Sequence, residues 1–327
     1  MLKKYLLYGI CICWIALGGC NKDEEKITSP SYADRNWFVI PDKPGEFNQL
    51  VYDIYKETGI PIFVNDTLGE EYYALDVEGN PILRTERFNL SYAIFGEVRL
   101  QEAAPLRSIV QSRDTPAMIK AAKLLRDKVL PYIPRMGEGS PCCYFLVDTI
   151  ILNPQDILVF GFGNAAPRDT IKNISPVYSA LKGVVVGGLN QLNEMPEDEL
   201  DLWCGRVIAA KVTSWLLSNN VDLTSFTGIT VEDKMAYNQK QALNSIQYKL
   251  DLVEASGMFY FYHDNPDKGR ATLTQDRDMI EYIARVYAYR GREQEFLKDY
   301  DVDSKVYRKF QIMKAFVDFF EERNGLK

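Results

Sequence analysis

The feature that most limits what this chain can fold into is a change of hydrophobic period near Asn190. Ahead of it stand short apolar runs rich in β-formers: "CYFLVDTIIL", "DILVFGF" and "KGVVVGGL". Beyond it, "EMPEDELDLWCGRVIAAKVTSWLLSNN", "TLTQDRDMIEYIARVYAYR" and "KVYRKFQIMKAFVDFFEER" repeat their apolar residues at helical spacing. A strand pattern and a helix pattern are not interchangeable, so the expected class is α+β: a mixed α/β N-terminal half with a β-sheet and a mostly helical C-terminal half.

The first half also holds helices. In "EFNQLVYDIYKETGI" the residues Phe47, Leu50, Val51, Ile54 and Tyr55 share one face, and Gly59 supplies the stop. "RDTPAMIKAAKLLRDKVLPYI" offers Asp114 or Thr115 as a cap, Pro116 where a missing N–H costs nothing, and a stripe of Ile119, Ala122, Leu125 and Val129. "IPIFVND" and "SYAIFGEVRL" read as strands, and "YYALDVEGNPILR" as a hairpin turning at Gly79-Asn80.

The N-terminus speaks of location. Lys3 and Lys4 precede an apolar run from Tyr5 to Leu17, shorter than the ~20 residues a spanning helix needs. Leu17-Gly18-Gly19-Cys20 resembles a bacterial lipobox, which makes residues 1–19 a lipoprotein signal peptide and Cys20 the lipidation site. Each acyl methylene buried there contributes about 0.8 kcal/mol, so several chains (palmitate among them) hold a protein on a membrane without a spanning helix. The run Lys22-Asp23-Glu24-Glu25 looks like a surface-export signal, and Pro-rich residues up to 45 form the rest of a tether at 20–45. The expected address is the outer membrane, lipid-anchored and facing the cell exterior.

Loss of Lys3 and Lys4 takes the formal charge from −7 to −9, which excludes nucleic acid as a partner. Cys142, Cys143 and Cys204 remain after processing. An odd number gives no disulfide framework, and three buried thiols are expected, with a vicinal bridge or a pair with Cys204 as alternatives.

The strongest chemical constraint is that the chain has a single histidine, His263. Catalytic zinc sites use two or three imidazoles, and a Ser-His-Asp or Cys-His arrangement would have to use this one residue. His263 reads as entering a loop. "GFGNAAP" lacks the third glycine of a dinucleotide fingerprint, and "DNPDKG" lacks the alternating donors of a calcium loop. Glu197 and Asp201 suit the positive end of a helix dipole better than an acid/base pair. The aromatic run containing Phe259, Tyr260 and Tyr262, with His263 after it, is the candidate ligand-contact strip, because rings offer flat faces to sugar or peptide.

Taken in order, "VYDIYKETGIPIFVN", "LLRDKVLPYIP" leading to "DILVFGF", "GVVVGGLNQLN" before a long helix, "NNVDLTSFTGIT" and "DRDMIEYIARVY" resemble the zinc-binding metallopeptidase lipoproteins of Bacteroidetes. The resemblance spans residues 46–290 and implies a zincin-like domain over 46–327, with an α+β lobe at 46–190 and a helical lobe at 191–327. In that family a helix carries H-E-x-x-H, two zinc ligands with a glutamate as general base. The matching positions here are Ala210, Lys211, Val212, Thr213 and Ser214, or Val207 to Lys211 in a register three residues earlier. The later acidic ligand falls among Arg277, Asp278 and Glu281. The resemblance thus implies a degenerate site without metal, cofactor or catalytic residue. It implies a pseudoenzyme whose cleft presents Lys211, Ser214, Asp278, Glu281 and Tyr282 to a peptide or glycan, as accessory to an outer-membrane uptake complex. A hydrolase with other catalytic groups and a purely structural surface protein are the alternatives.

Overall fold

The computed structural model describes residues 36–88, 107–152, 171–172, 177–180, 183–232, 237, 240–241, 256–260, 263–265 and 269–326. The chain divides into a unit of residues 1–37 and a unit from Phe38 to Lys327, and the second carries everything that follows. Cys20, Tyr262 and the runs "SYAIFGEVRL" and "DILVFGF" lie outside the described residues.

Phe38 already packs edge-on against Phe63 at 6.3 Å and Ile40 is buried, so the folded unit starts ahead of the first helix. Helix α1 (Glu46–Thr58) buries Val51 and Ile54, and Gly59, at φ 75°, ends it by donating its N–H to Tyr55 O. The expected strand shortens to β1 (Ile62–Phe63), because Asn65 Oδ1 accepts from Thr67 N at 3.1 Å and turns the chain. Strands β2 (Thr67–Leu75) and β3 (Pro81–Arg87) form the expected hairpin. Asp76 Oδ1 accepts from Glu78 N and Asn80 N, and Gly79 takes the left-handed φ of 86° that the turn requires.

After β4 (Arg107–Val110) comes α2 (Thr115–Leu124), capped by Asp114 Oδ1 accepting from Ala117 N at 3.1 Å. It runs on through a π turn, Leu125–Val129, into a short 3-10 turn, Leu130–Tyr132. Ala117, Ala121, Ala122, Leu125 and Val129 are sealed from solvent, while Ile119 is only partly covered.

The run "CYFLVDTIIL" splits into β5 (Tyr144–Leu146) and β6 (Thr149–Leu152), which belong to different sheets. The split falls at Val147 and Asp148, whose N–H groups go in opposite directions, to Val186 O and Val110 O. The chain continues through β7 (Ile171–Lys172), β8 (Val177–Ala180) and β9 (Gly183–Val186). The central sheet has the order β1-β5-β9-β8, with β1, β5 and β9 parallel and β8 antiparallel on the outside. Tyr144, Phe145, Leu146 and Val184 to Val186 have no exposed surface, and each such side chain contributes roughly 1.5–3 kcal/mol on burial.

The helical half begins with α3 (Leu189–Leu192), α4 (Glu197–Ser218) and α5 (Thr224–Val231). A small sheet of β10 (Lys240–Gln241), β11 (His263–Asn265) and β12 (Gly269–Ala271) precedes α6 (Gln275–Ala288), α7 (Glu293–Leu297) and α8 (Lys305–Arg323). Trp203 Nε1 donates to Gly187 O at 3.0 Å and ties α4 to the end of β9. Helices α4 and α6 meet at Gly205, where a Cβ would lie 2.2 Å from Ala284 O, so only glycine permits this approach. Trp215 packs against Phe319 and Phe320 of α8. Among the described residues no helix is long and apolar enough to cross a membrane. The mixed α+β class holds.

Candidate functional site

The close approach at Gly205 sets Arg206 of α4 opposite Glu281 of α6. Arg206 Nε and Nη2 donate to the two carboxylate oxygens of Glu281 at 2.9 and 3.0 Å. Arg285, one turn on, donates to Oε2 at 2.8 Å and lies over the Phe259 ring at 3.5 Å. Tyr260 Oη donates to Oε1 at 3.1 Å. Burial alone would push the Glu281 carboxyl up, but the two guanidiniums outweigh it and hold the group below the usual glutamate range.

Asp278, three residues earlier, belongs to a second buried cluster. Lys309 of α8 donates to Asp278 Oδ2, to Thr230 Oγ1 at 3.0 Å and to Gly257 O at 2.9 Å, which satisfies all three ammonium protons. Tyr237 Oη donates to the same Oδ2 at 2.8 Å. The ammonium lies over the rings of Phe226 and Tyr282 at 4.4 and 4.7 Å. Burial raises Asp278 and lowers Lys309, each against the pull of the other's charge, and both have no exposed surface.

The expected degenerate-site residues therefore separate. Asp278, Glu281 and Tyr282 are sealed inside the helical half, and Tyr282 Oη donates to Gly257 O. Ala210 is buried and Arg277 partly so. Lys211 and Ser214 are partly exposed on α4, which meets the outer strand β8 through Ala210 and Ser214. There Ser179 Oγ donates to Ala210 O at 3.3 Å and lies 3.0 Å from Ser214 Oγ, while Ser214 Oγ donates to Ala210 O at 2.9 Å. Phe259 and Tyr260 are partly covered and turned to Arg285 and Glu281, so neither stands free as a stacking platform.

Two sequence expectations change. His263 opens strand β11, paired across from Ala271, rather than entering a loop, because the residues that follow form a ladder with β12. Cys142 is exposed, while Cys143 and Cys204 are buried free thiols; Cys142 stands just ahead of β5, whose pairing with β1 and β9 seals only the residues from Cys143 on. Burial pushes the Cys204 thiol up to about 12. Glu197 and Asp201 both meet Lys128 Nζ, and Asp201 also takes Arg292 at 2.6 Å, so the pair is an ionic strap at the start of α4.

The residues present do not fit a zinc ion. Among the described residues no three His, Cys, Asp or Glu side chains are placed to hold a metal ion, and a guanidinium holds each oxygen of Glu281. Sequence reasoning missed Arg206, Arg285, Lys309, Thr230 and Tyr237. The signal for Lys309 was its place between Val306, Phe310 and Met313 on the buried face of α8, and for Arg285 its i,i+4 spacing from Glu281. No family model, curated protein or solved structure matches the chain.

Proposed function

We propose that this chain is a surface lipoprotein of zincin-like ancestry that binds an extended peptide without cutting it. Cys20 anchors it in the outer membrane, and it serves an uptake complex there. One observation carries the non-catalytic reading: both acids of α6 at the degenerate site are consumed in buried ion pairs, Asp278 with Lys309 and Glu281 with Arg206 and Arg285. A carboxylate so held is not placed to ligate a metal or activate a water molecule, so neither metal-assisted nor two-carboxylate hydrolysis can draw on these two residues.

The choice of peptide over glycan is supported by β8. Among the described residues it is the outer strand of the central sheet, and alternate residues of an antiparallel edge turn their N–H and C=O groups away from the partner strand. Such an edge takes an added strand. Dye-labelled, extended peptides of random sequence, screened by anisotropy against the lipidated protein with zinc and with chelator, are expected to bind equally in both conditions. N-methylation of alternate peptide amides is expected to abolish binding. Stoichiometric zinc binding or cleavage of the peptides would restore the hydrolase reading, and binding of glycans alone would move the site away from β8. Radiolabelled palmitate is expected on the wild type and not on Cys20→Ala.

A further inference from the structure

Helix α5 carries a glycine at its middle, in "TSFTGITV", where glycine forms a helix less well than any ordinary residue except proline. Neither backbone nor packing asks for it. Gly228 is not among the glycines with positive φ, and where Gly205 leaves no room for a Cβ, one at Gly228 would meet nothing within 4 Å. Gly228 lines a groove of about 570 Å³ between α5 and the first turns of α8. On the buried side of the same two helices Lys309 donates to Thr230 Oγ1 at 3.0 Å, which fixes the walls.

The lining states what such a groove would take. Ile229, Ile312 and Tyr307 supply apolar surface, and Val302 stands beside them 68% exposed. Ser225, Tyr307 and Gln311 also bring polar groups, and their side chains make no hydrogen bond among the described residues. Arg308 donates to both oxygens of Glu232 at 3.2 and 2.9 Å, so the charges of the groove cancel. A wholly apolar ligand would dry these polar groups without replacing their water, and an ion would meet no net charge. An extended peptide would find no strand edge to pair with, since both walls are helices. Hydroxyls and a carboxamide both donate and accept, as alcohols do. We infer that the groove binds a neutral carbohydrate of disaccharide size, its C–H face against Tyr307 and the isoleucines, its hydroxyls on Ser225, Gln311 and the Arg308–Glu232 pair. Gly228 keeps the floor open for it. No residue of β8 lines the groove, so this site is separate from the peptide-binding reading above and neither rests on the other.

The test titrates the full-length protein, by ligand-observed NMR, with neutral disaccharides of α- and β-linked glucose, galactose and mannose, with their uronic acid forms, and with an N-acetylated tripeptide amide. At least one neutral disaccharide is expected to bind ~10-fold more tightly than its uronic acid form and than the tripeptide. Gly228→Leu, which fills the groove, is expected to weaken that binding ~10-fold or more, and Gln311→Ala by a smaller factor. The melting temperature of Gly228→Leu is expected to equal or exceed that of the wild type, since leucine is the better helix former and its Cβ meets no neighbour. Binding of no neutral disaccharide, binding that survives Gly228→Leu, or a marked fall in that variant's melting temperature overturns the inference. A preference for the uronic acids or the tripeptide that Gly228→Leu removes overturns the neutral-sugar assignment and gives the groove to that ligand instead. The β8 reading stands or falls by its own peptide screen.

Discussion

Asp278 and Glu281 stand three residues apart on α6, both without exposed surface, and folding shifts their acidity in opposite directions. Burial acts on each the same way, disfavouring the charge. The difference lies in what faces them. Glu281 has two guanidiniums and a tyrosine hydroxyl shared over both oxygens. Asp278 has one ammonium and one hydroxyl, both on Oδ2, while Oδ1 accepts no hydrogen bond among the described residues. Two cations in bidentate geometry overcome desolvation; a single ammonium, itself desolvated, does not. The partners that face a carboxylate, and not its depth alone, therefore set the direction in which its acidity moves.

The comparison breaks most visibly at Glu281. Glu281→Gln leaves Arg206 and Arg285 facing each other without a counterion, and is expected to cost about 3–5 kcal/mol in urea unfolding. A loss below ~1 kcal/mol would mean that the guanidiniums find water instead. Next is Gly205→Ala, whose methyl meets Ala284 O and forces α4 from α6, at a cost of about 1–3 kcal/mol or more. Because that approach positions Arg206 on Glu281 but not Lys309 on Asp278, Gly205→Ala is expected to be non-additive with Glu281→Gln and additive with Asp278→Asn. Additivity in both cycles would detach the Glu281 cluster from the helix crossing.

Asp278→Asn is expected to cost less, about 1–2 kcal/mol, since the amide oxygen can still accept from Lys309 and one cation rather than two loses its counterion. The two variants also differ in pH dependence. Glu281, lowered on folding, contributes stability that is complete above its unfolded value of about 4.3 and is lost as pH falls through its folded value. Asp278, raised on folding, contributes stability that is complete below its unfolded value of about 3.9 and is lost as pH rises through its folded value. Relative to the wild type, Glu281→Gln should therefore flatten the acid limb, and Asp278→Asn should remove a decline above it; the same change in both would refute the opposition. Smallest of all, Glu197→Gln on the exposed strap should leave the unfolding midpoint unchanged.

Signals carried by neighbouring residues were legible. Gly59 ending α1, the Gly79 turn of the hairpin, and Asp114 with Pro116 starting α2 all follow from backbone sterics or a hydrogen bond within a few residues. The candidate site was legible only as positions. That Ser214 lies at β8 while Asp278 and Glu281 are sealed depends on how α4, α6 and α8 pack, which no local window contains. His263 was misplaced for the same reason: its strand exists through a ladder with residues at and beyond Gly269. The run "CYFLVDTIIL" looks continuous in apolar character, yet two sheets claim its halves.

By itself, the sequence determined the class of fold, the helix periods and their stops, and the poverty of imidazole, because each depends on residue type and short spacing. Only the tertiary structure decided which charges meet. Arg206 finds Glu281 across 75 residues and Lys309 finds Asp278 across 31. Electrostatic partnership depends on distance and dielectric in space, and the chain's order carries neither.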